Sequence, residues 1–436
     1  MFSPKYEGEG IGSAPAPCMS GMEYHPSVRY PPGVSNRSEI SAVPPPPLRD
    51  GLANEWMLKP GIDFFNHGSF GALPRAVFDA QNAWRLRLEA EPIELIGRRC
   101  EDLVREAKKP VGEWLGMNES DFGLVTNATE GVNAALQSLS LAPGDELLAT
   151  SHVYNAVRQA MRHTARRAGA EYCEVKIPLP LRSPGGITET VLGALTSRTR
   201  VLVIDHVTSP TGLVFPVEQI IAGCMNRKNP VDVLVDGAHV PGMLPLNVGK
   251  LGAAYYAANL HKWVCAPKGS AFLWVRPDLQ PAVHPAVISH HLGEGFSREF
   301  GWQGTRDLSS WFTIPRAMEF MAELGWERVM DHNHRMAAWA HRMLVERWKV
   351  EPISPLDGSM LGSTATVRLP HPLDGMDAAQ SALLQQRLYS EFGIEVPLVW
   401  NDGWTLRVSC QVYNTAAQYE RLAEVIETIA RTSAKG

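Results

Sequence analysis

Short apolar, β-branched segments alternate with segments of helical spacing through the middle of the chain. The strand-like segments are residues 122–125, 146–149, 201–204, 231–235, 253–257 and 271–275. Between the first two, Val132, Leu136 and Leu139 recur at the spacing of one helix face. Short buried strands joined by helices are typical of a mostly parallel sheet that is covered on both faces. We therefore expect an α/β fold whose ligands bind at the carboxyl ends of the strands.

Two regions flank this alternating part, which we assign to a large domain of residues 51–310. Residues 1–50 hold ten prolines, four of them consecutive from Pro44, and this composition predicts an extended arm. Residues 311–436 predict a smaller C-terminal α+β domain. Its expected elements are a helical stretch at 314–348, strands at 364–369, 394–396 and 405–409, and helices at 377–392 and from residue 416.

The charge balance excludes several classes of binding protein. The chain has 41 Lys and Arg against 46 Asp and Glu, a formal net charge of −5, without long blocks of one sign. Nucleic acids and anionic membranes need a concentrated basic face, so neither is an expected partner. No apolar run approaches the roughly 20 residues of a membrane span, and the N-terminus lacks the pattern of a secretory signal. We expect a cytoplasmic protein.

The cysteines and histidines form no recognisable disulfide or metal pattern. The six cysteines are scattered without a C-x-x-C pair, which predicts reduced and mostly buried thiols. His334 and His341 share a predicted helix, and His290 adjoins His291, but neither pair has a third ligand at metal spacing. We expect no metal site.

Two residues at the ends of strand-like segments point to chemistry. Lys262 follows the segment 253–257, where a lysine is ordinarily a solvated loop residue. Asp236 ends the segment 231–235, where a carboxylate either caps the next helix or meets a cation. The second interpretation pairs Asp236 with the protonated pyridine nitrogen of pyridoxal phosphate, to which Lys262 supplies a Schiff base.

A phosphate-binding segment is expected before these two residues. Residues 126–131 (TNATEG) lie between a strand-like run and an amphipathic helix. The free backbone N–H groups and the dipole of a helix N-terminus favour a dianion, to which the Thr129 hydroxyl adds a donor. Such a junction alone equally fits an ordinary helix cap.

The order of these segments resembles the class V aminotransferase family of fold-type I pyridoxal-phosphate enzymes. The segments are TNATEG at 126–131, DGAH at 236–239, HKW at 261–263, GT at 304–305, RVS at 407–409 and YNT at 413–415. Within the family, NHGSFG at 66–71 and NLHKW at 259–263 are most similar to the isopenicillin N epimerase branch. The resemblance spans roughly residues 60–430. It implies a large domain with a mostly parallel seven-stranded sheet and a smaller C-terminal domain.

The resemblance implies a role for each matching residue around the cofactor ring. Lys262 would bind the cofactor and move the Cα proton, while Asp236 would contact the pyridine nitrogen. His239 would lie near the phenolate oxygen, and Ser209 would face the ring. Tyr154 would stack on the ring, where many relatives have histidine; the alternative for Tyr154 is an ordinary buried aromatic residue.

The resemblance also assigns the phosphate site and the assembly. His261, Thr129 and the backbone of Asn127 and Ala128 would bind the phosphate. Thr305 would reach the phosphate site of a neighbouring subunit, so that a homodimer would share its active sites. The alternative for Thr305 is a solvent-facing turn.

The substrate contacts implied by the resemblance come from both ends of the chain. Arg407 would bind the α-carboxylate, because a guanidinium offers two parallel donors to a carboxylate. Its alternative is a surface ion pair. Residues 66–71, with Asn66 and His67, would close over the substrate; the alternative is a simple glycine-rich turn.

Several reactions at Cα stay open. The expected reaction is racemisation or epimerisation of an amino-acid or peptide-like α-amino carboxylate, and the alternatives are a C–S lyase on a cysteine conjugate and an aminotransferase. Cysteine desulfurases of the family carry a persulfide-forming cysteine on a loop well downstream of the lysine and before the carboxylate-binding arginine. Such chemistry is disfavoured here, because Cys265 alone lies between Lys262 and Arg407 and is only three residues past the lysine, while Cys410 falls in a predicted strand. A non-enzymatic interaction protein with the same fold is the remaining alternative.

Overall fold

The computed structural model describes residues 43–433 of the 436. Most of the predicted proline-rich arm, together with Cys18, lies outside these residues. Within residues 43–433, no helix combines the length and the apolar character that crossing a membrane requires.

The described residues contain twelve strands in three sheets. In chain order these are β1 (Asp63–Phe64), β2 (Phe122–Val125), β3 (Glu146–Thr150), β4 (Glu171–Val175), β5 (Thr199–Asp205), β6 (Asp232–Asp236), β7 (Tyr255–Asn259), β8 (Ala271–Val275), β9 (Thr364–Arg368), β10 (Ile394–Glu395), β11 (Leu398–Trp400) and β12 (Trp404–Ser409).

The largest sheet confirms the α/β prediction. Its seven strands lie in the order β2-β8-β7-β6-β5-β3-β4. All neighbours are parallel except those of β8, which is antiparallel to both β2 and β7. Strand β4 has no counterpart among the predicted segments, because it is an edge strand whose exposed Glu171 and Glu174 break the apolar run.

Thirteen α-helices accompany the sheets. They are α1 (His67–Phe70), α2 (Arg75–Ala90), α3 (Cys100–Leu115), α4 (Ala128–Gln137), α5 (Asn155–Ala168), α6 (Pro184–Gly193), α7 (Val217–Met225), α8 (Phe296–Gly301), α9 (Ser309–Phe312), α10 (Ile314–Leu324), α11 (Trp326–Trp348), α12 (Ala378–Phe392) and α13 (Ala416–Ser433). A π-helix covers Ile93–Arg98, and the short 3-10 helices are Leu52–Glu55, Glu119–Asp121, Val248–Lys250, Gln280–Ala282 and Leu373–Gly375.

The large sheet is buried on both faces, as its apolar runs predict. Along β5, Val201 and Val203 belong to one hydrophobic cluster, whereas Leu202 and Ile204 belong to the other. This alternation follows the two-residue period of a strand. Helices α4 and α5 cover the first face, and α7 packs against β6 on the second.

The C-terminal part is built on a smaller antiparallel sheet, β11-β12-β9. The predicted helical stretch at 314–348 divides into α10 and α11 at Gly325, whose φ is 84°. Strand β1, near the start of the described chain, pairs in parallel with β10. A short stretch that the sequence assigned to the large domain therefore joins the C-terminal part, and the boundary near residue 311 stays a prediction.

The segment 66–71 packs against the main chain beside Lys262. It forms the short helix α1, which Gly71 follows. The backbone angles of Gly71, φ 70° and ψ 153°, are a combination that essentially only glycine adopts. A Cβ atom on Gly71 would lie 1.9 Å from the carbonyl oxygen of His261. The structure thus shows a closely packed helical turn here, and closure of this segment over a substrate stays a prediction.

Gly71→Ala should destabilise the protein far more than Gly61→Ala. Gly61 also has a positive φ, 78°, but open space surrounds its position, so alanine there should cost about 1 kcal/mol of backbone strain. Alanine at Gly71 adds a backbone clash and should cost roughly 3 kcal/mol or more. Denaturant unfolding of both variants measures the difference, and equal losses of stability would contradict the packing described.

Candidate active site

A cavity of about 570 Å³ lies at the carboxyl ends of the central strands. It is lined by residues of α1, by the β2–α4 junction and by residues that end or follow β5, β6 and β7. Ten predicted site residues line it: Asn127, Ala128, Thr129, Tyr154, Ser209, Asp236, His239, His261, Lys262 and Arg407. The fold thus brings together predicted site residues that are up to 280 positions apart in the sequence.

Lys262 presents a buried amine to this cavity. The residue is 8% exposed, and its Nζ lies 3.0 Å from Nε2 of His239. Burial, reinforced by the positive charge of Arg407, lowers the pKa of Lys262 to about 7 despite the opposing effect of Asp236. A large fraction of the amine is therefore neutral near pH 7, as a nucleophile or base requires.

Two donors contact the main-chain carbonyl oxygen of Lys262, on the side away from the cavity. The carbonyl oxygen of Lys262 lies 3.1 Å from Nε2 of His67 and accepts the backbone N–H of Cys265 at 3.0 Å. Nδ1 of His67 lies 2.9 Å from the hydroxyl of Tyr413. Burial lowers the pKa of His67 to about 3, so the ring is neutral. His67 is fully buried outside the cavity lining, and this geometry gives no support to its predicted contact with the substrate.

Asp236 lies at the end of β6 and is 4% exposed. Its carboxylate accepts the backbone N–H of Ala238 at 3.0 Å, but turns rather than a helix follow. Burial raises the pKa of Asp236, opposed by the Ala238 bond and the charge of Lys262. The helix-cap alternative is therefore wrong, and the position suits a cationic ligand.

Asp205 is a cavity residue that the sequence analysis missed. It ends β5 and is the register partner of Asp236 on the neighbouring strand. The signal was present, because Asp205 closes an apolar strand run just as Asp236 does.

The N-terminus of α4 has the expected form of an anion site, with two of its first N–H groups already in use. The Asn127 side chain caps the helix by accepting the N–H of Glu130 at 2.9 Å. The N–H of Ala128 donates to Oδ1 of Asn259 at 2.8 Å, whereas the N–H of Thr129 has no acceptor within residues 43–433. Thr129 is thus better placed than Ala128 to donate from its main chain.

His261 and Tyr154 border the same cavity. Nδ1 of His261 lies 3.2 Å from the carbonyl oxygen of Ser270, which leaves Nε2 for a ligand. Burial and the neighbouring Lys262 lower the pKa of His261 to about 4. Tyr154 occupies the N-cap position of α5 and is 43% exposed, so the alternative of an ordinary buried aromatic is wrong.

Arg407 is a buried cation without a carboxylate partner among the described residues. It lies on β12, is 5% exposed and donates to the carbonyl oxygen of Ser209 and, at 3.1 Å, to Oγ of Ser69. Its Nε is buried without a partner in that part of the chain. Burial lowers the pKa of Arg407 to about 10. The surface ion-pair alternative is wrong, and a buried guanidinium of this kind fits an anionic ligand.

Two predicted residues lie outside the cavity lining in addition to His67. Asn66 adjoins α1 and donates from Nδ2 to Glu395 at 2.9 Å. Thr305 lines a separate cavity of about 1010 Å³ beside α3. Its predicted contribution to a neighbouring subunit stays a prediction.

The cysteines near the lysine are inaccessible. Cys265 and Cys410 are fully buried, and burial raises the pKa of each thiol to about 12. Neither resembles an accessible persulfide-forming group, since such cysteines are exposed thiolates.

One carboxylate–thiol cluster lies elsewhere within residues 43–433. Glu146, Glu171 and Cys173 have ligand atoms within 4.8 Å of one another. Arg198 forms ion pairs with both glutamates. The expected absence of a metal site stays a prediction.

These contacts fit pyridoxal phosphate. The cavity offers a buried amine, a buried carboxylate for a ring cation, a helix N-terminus for the phosphate and an unpaired guanidinium, Arg407, for a carboxylate. When bound, this cofactor withdraws electrons from Cα of an amino acid and makes the Cα proton acidic.

The low pKa of Lys262 should make stability depend on pH. Between about pH 7 and 10.5 the unfolded lysine binds a proton that the folded one lacks, so unfolding becomes costlier as pH rises. Relative to Lys262→Met, the cofactor-free protein should gain up to about 1.4 kcal/mol per pH unit in this window. Urea unfolding of both proteins at pH 7 and pH 9 measures this difference. Parallel changes in the two proteins would show an ordinary lysine.

Comparisons with known proteins agree with the geometry. Residues 71–422 match the model of the family Aminotransferase class-V. Isopenicillin N epimerase of Amycolatopsis lactamdurans is 34% identical over 393 residues, which cover 86% of this chain and 96% of that protein. A putative L-cysteine desulfhydrase of Oryza sativa subsp. japonica is 31% identical over 85% of this chain and 83% of its own length.

A solved structure shares the fold. A mutant of C-DES with glycine covalently linked to its PLP cofactor superposes with a TM-score of 0.74 at 20% identity, over 84% of this chain and 96% of that one. The two named relatives are enzymes, which favours an enzyme over an interaction protein. The chain belongs to the class V aminotransferase family and is a pyridoxal-phosphate-dependent enzyme.

Proposed function

We propose that this enzyme epimerises or racemises an amino-acid or peptide-like substrate with a free α-amino carboxylate. The observation that carries the proposal is that Arg407 lines the same cavity as two potential acid–base groups, the amine of Lys262 and the phenol of Tyr154. Lys262 is buried, and the charge of Arg407 adds to burial in lowering its pKa to about 7. A carboxylate bound to Arg407 would therefore lie close to both an amine and a phenol.

In this proposal the residues of the chain divide the work. Arg407 binds the α-carboxylate and thereby orients the Cα–H bond. Lys262 takes the proton at Nζ, while the Tyr154 hydroxyl donates one from the other side. Asp236 would hold the positive charge of the cofactor ring, and Thr129, Asn127 and the α4 dipole would hold the phosphate. The contacts of His67 and Cys265 with the carbonyl oxygen of Lys262 hold the main chain of the lysine in place.

A C–S lyase is the second candidate. It is favoured by the relatives named as L-cysteine desulfhydrases, at 29–31% identity over most of the chain. A lyase needs the same base and the same carboxylate site, and loses a β-substituent once the Cα proton is removed. An aminotransferase would instead keep the β-substituent, release the keto acid that retains the whole side chain, and pass the amino group on to a second keto acid.

Product analysis in deuterium oxide separates these reactions. The holoenzyme is incubated with a panel of L-amino acids, including L-cysteine and dipeptide-like α-amino carboxylates, and products are analysed by chiral chromatography and NMR. Epimerisation predicts deuterium at Cα with inverted configuration and no keto acid. Pyruvate with sulfide from L-cysteine would overturn the proposal in favour of a lyase. Lys262→Ala is the control and should lose both turnover and the visible absorbance of the lysine-bound cofactor.

Tyr154→Phe should separate the two acid–base groups. If Lys262 serves one face and Tyr154 the other, the variant should still exchange the Cα proton with solvent but return it with retained configuration. We expect inversion to fall by about a hundredfold or more while exchange persists. Equal loss of exchange and inversion would assign Tyr154 to cofactor binding instead.

Arg407→Ala should weaken substrate binding far more than cofactor binding. Losing a buried, charge-assisted pair costs 2–5 kcal/mol, so the KM should rise by about thirtyfold or more. The dissociation constant of pyridoxal phosphate should change little. Arg368→Ala on the neighbouring strand β9 is a matched control, because Arg368 lies outside the cavity lining. Equal losses of substrate and cofactor affinity would contradict the role of Arg407.

A further inference from the structure

The cavity contains a second buried carboxyl group that the proposed mechanism does not use. Asp205 and Asp236 end the neighbouring parallel strands β5 and β6, and they are register partners. They are 2% and 4% exposed, and both line the cavity with Lys262. Because they are paired in register on parallel strands, their side chains lie on the same face of the sheet.

The two carboxyl groups have different partners. Asp236 accepts the N–H of Ala238, and the charge of Lys262 favours its ionised form. The backbone N–H groups of Tyr154 and of Asp205 itself favour the ionised form of Asp205, but its Oδ2 is buried without a partner within residues 43–433. The ionised form of Asp236 is therefore better stabilised than the ionised form of Asp205.

Within residues 43–433, no cation forms an ion pair with Asp205. Arg158, on α5, forms its ion pair with Glu174 at 2.8 Å, and Nζ of Lys262 lies against His239. Two adjacent carboxyl groups in a low-dielectric site cannot both ionise without a nearby cation, so the pair retains a proton. Oδ2 of Asp205 is the carboxylate oxygen of this pair that is buried without a partner, so Asp205 is the group that keeps the proton, and burial and the charge of Asp236 raise its pKa well above the usual range.

We propose that Asp205 is a positioning residue that holds a proton in the folded enzyme, so that the Asp205–Asp236 pair presents one negative charge to the cofactor ring. The inference deepens the cofactor site and rests on the proposed contact of Asp236 with the ring nitrogen.

This arrangement has a physical consequence for the ring. A single anion balances a single ring cation in a buried site, whereas two anions would leave one charge uncompensated there. Asparagine resembles a neutral carboxyl group in shape and hydrogen bonding, so Asp205→Asn should be tolerated where Asp236→Asn is not.

Infrared spectroscopy of the holoenzyme tests the proton directly. A protonated aspartic acid has a carbonyl stretching band that an ionised aspartate lacks. Labelling the aspartate carboxyl groups with 13C shifts this band away from the bands of the cofactor. We expect this band in the wild type at neutral pH and its loss in Asp205→Asn. Absence of the band in the wild type would overturn the proposal, and this measurement does not depend on the folding of any variant. Persistence of the band in Asp205→Asn would also overturn the proposal.

Cofactor affinity supplies the second readout. The dissociation constant of pyridoxal phosphate should stay within about threefold of wild type in Asp205→Asn and rise by about tenfold or more in Asp236→Asn. An equal rise in both variants would mean that Asp205 is ionised and would overturn the inference. An unchanged constant in Asp236→Asn would instead refute the role of Asp236, while the infrared band still decides the state of Asp205. Circular dichroism confirms that each variant is folded.

Discussion

The active site depends on burying two cations, Lys262 and Arg407, without ion-pair partners among residues 43–433. Desolvation lowers the pKa of both groups, to about 7 and about 10. The surrounding structure holds both groups in place: Arg407 lies on strand β12, and His67 and Cys265 contact the main-chain carbonyl oxygen of Lys262. A site with these properties favours ligands that are anionic and react with amines. The negative charge of such a ligand stabilises the buried groups in place of the water that burial removed.

Much of this architecture could be predicted from the sequence. Apolar strand runs, buried on both faces, gave the α/β class, and polar residues at their ends gave the cavity, because the carboxyl ends of parallel strands share one edge. Lys262, Asp236 and Arg407 fell into one site as expected. The resemblance to the family supplied the expected roles that spacing alone leaves open, notably for Ser209 and Tyr154.

Other features could not be predicted, for identifiable reasons. Strand β4 is an edge strand with glutamates, so hydrophobic periodicity gives no signal for it. The position of His67 behind the lysine depends on tertiary contacts with Tyr413 and Lys262, more than 190 residues away. Asp205 had the same local pattern as Asp236, and only the strand register shows that they are neighbours. Thr305 would act on another subunit, which the fold of one chain does not test.

The central claim is that the amine of Lys262 carries the cofactor. Borohydride reduction of the holoenzyme makes that linkage permanent, and tandem mass spectrometry of its peptides locates it. The account predicts a pyridoxyl group on Lys262 in nearly every molecule. Attachment to another lysine, such as Lys268 at the edge of the same cavity, or no attachment at all, would contradict it.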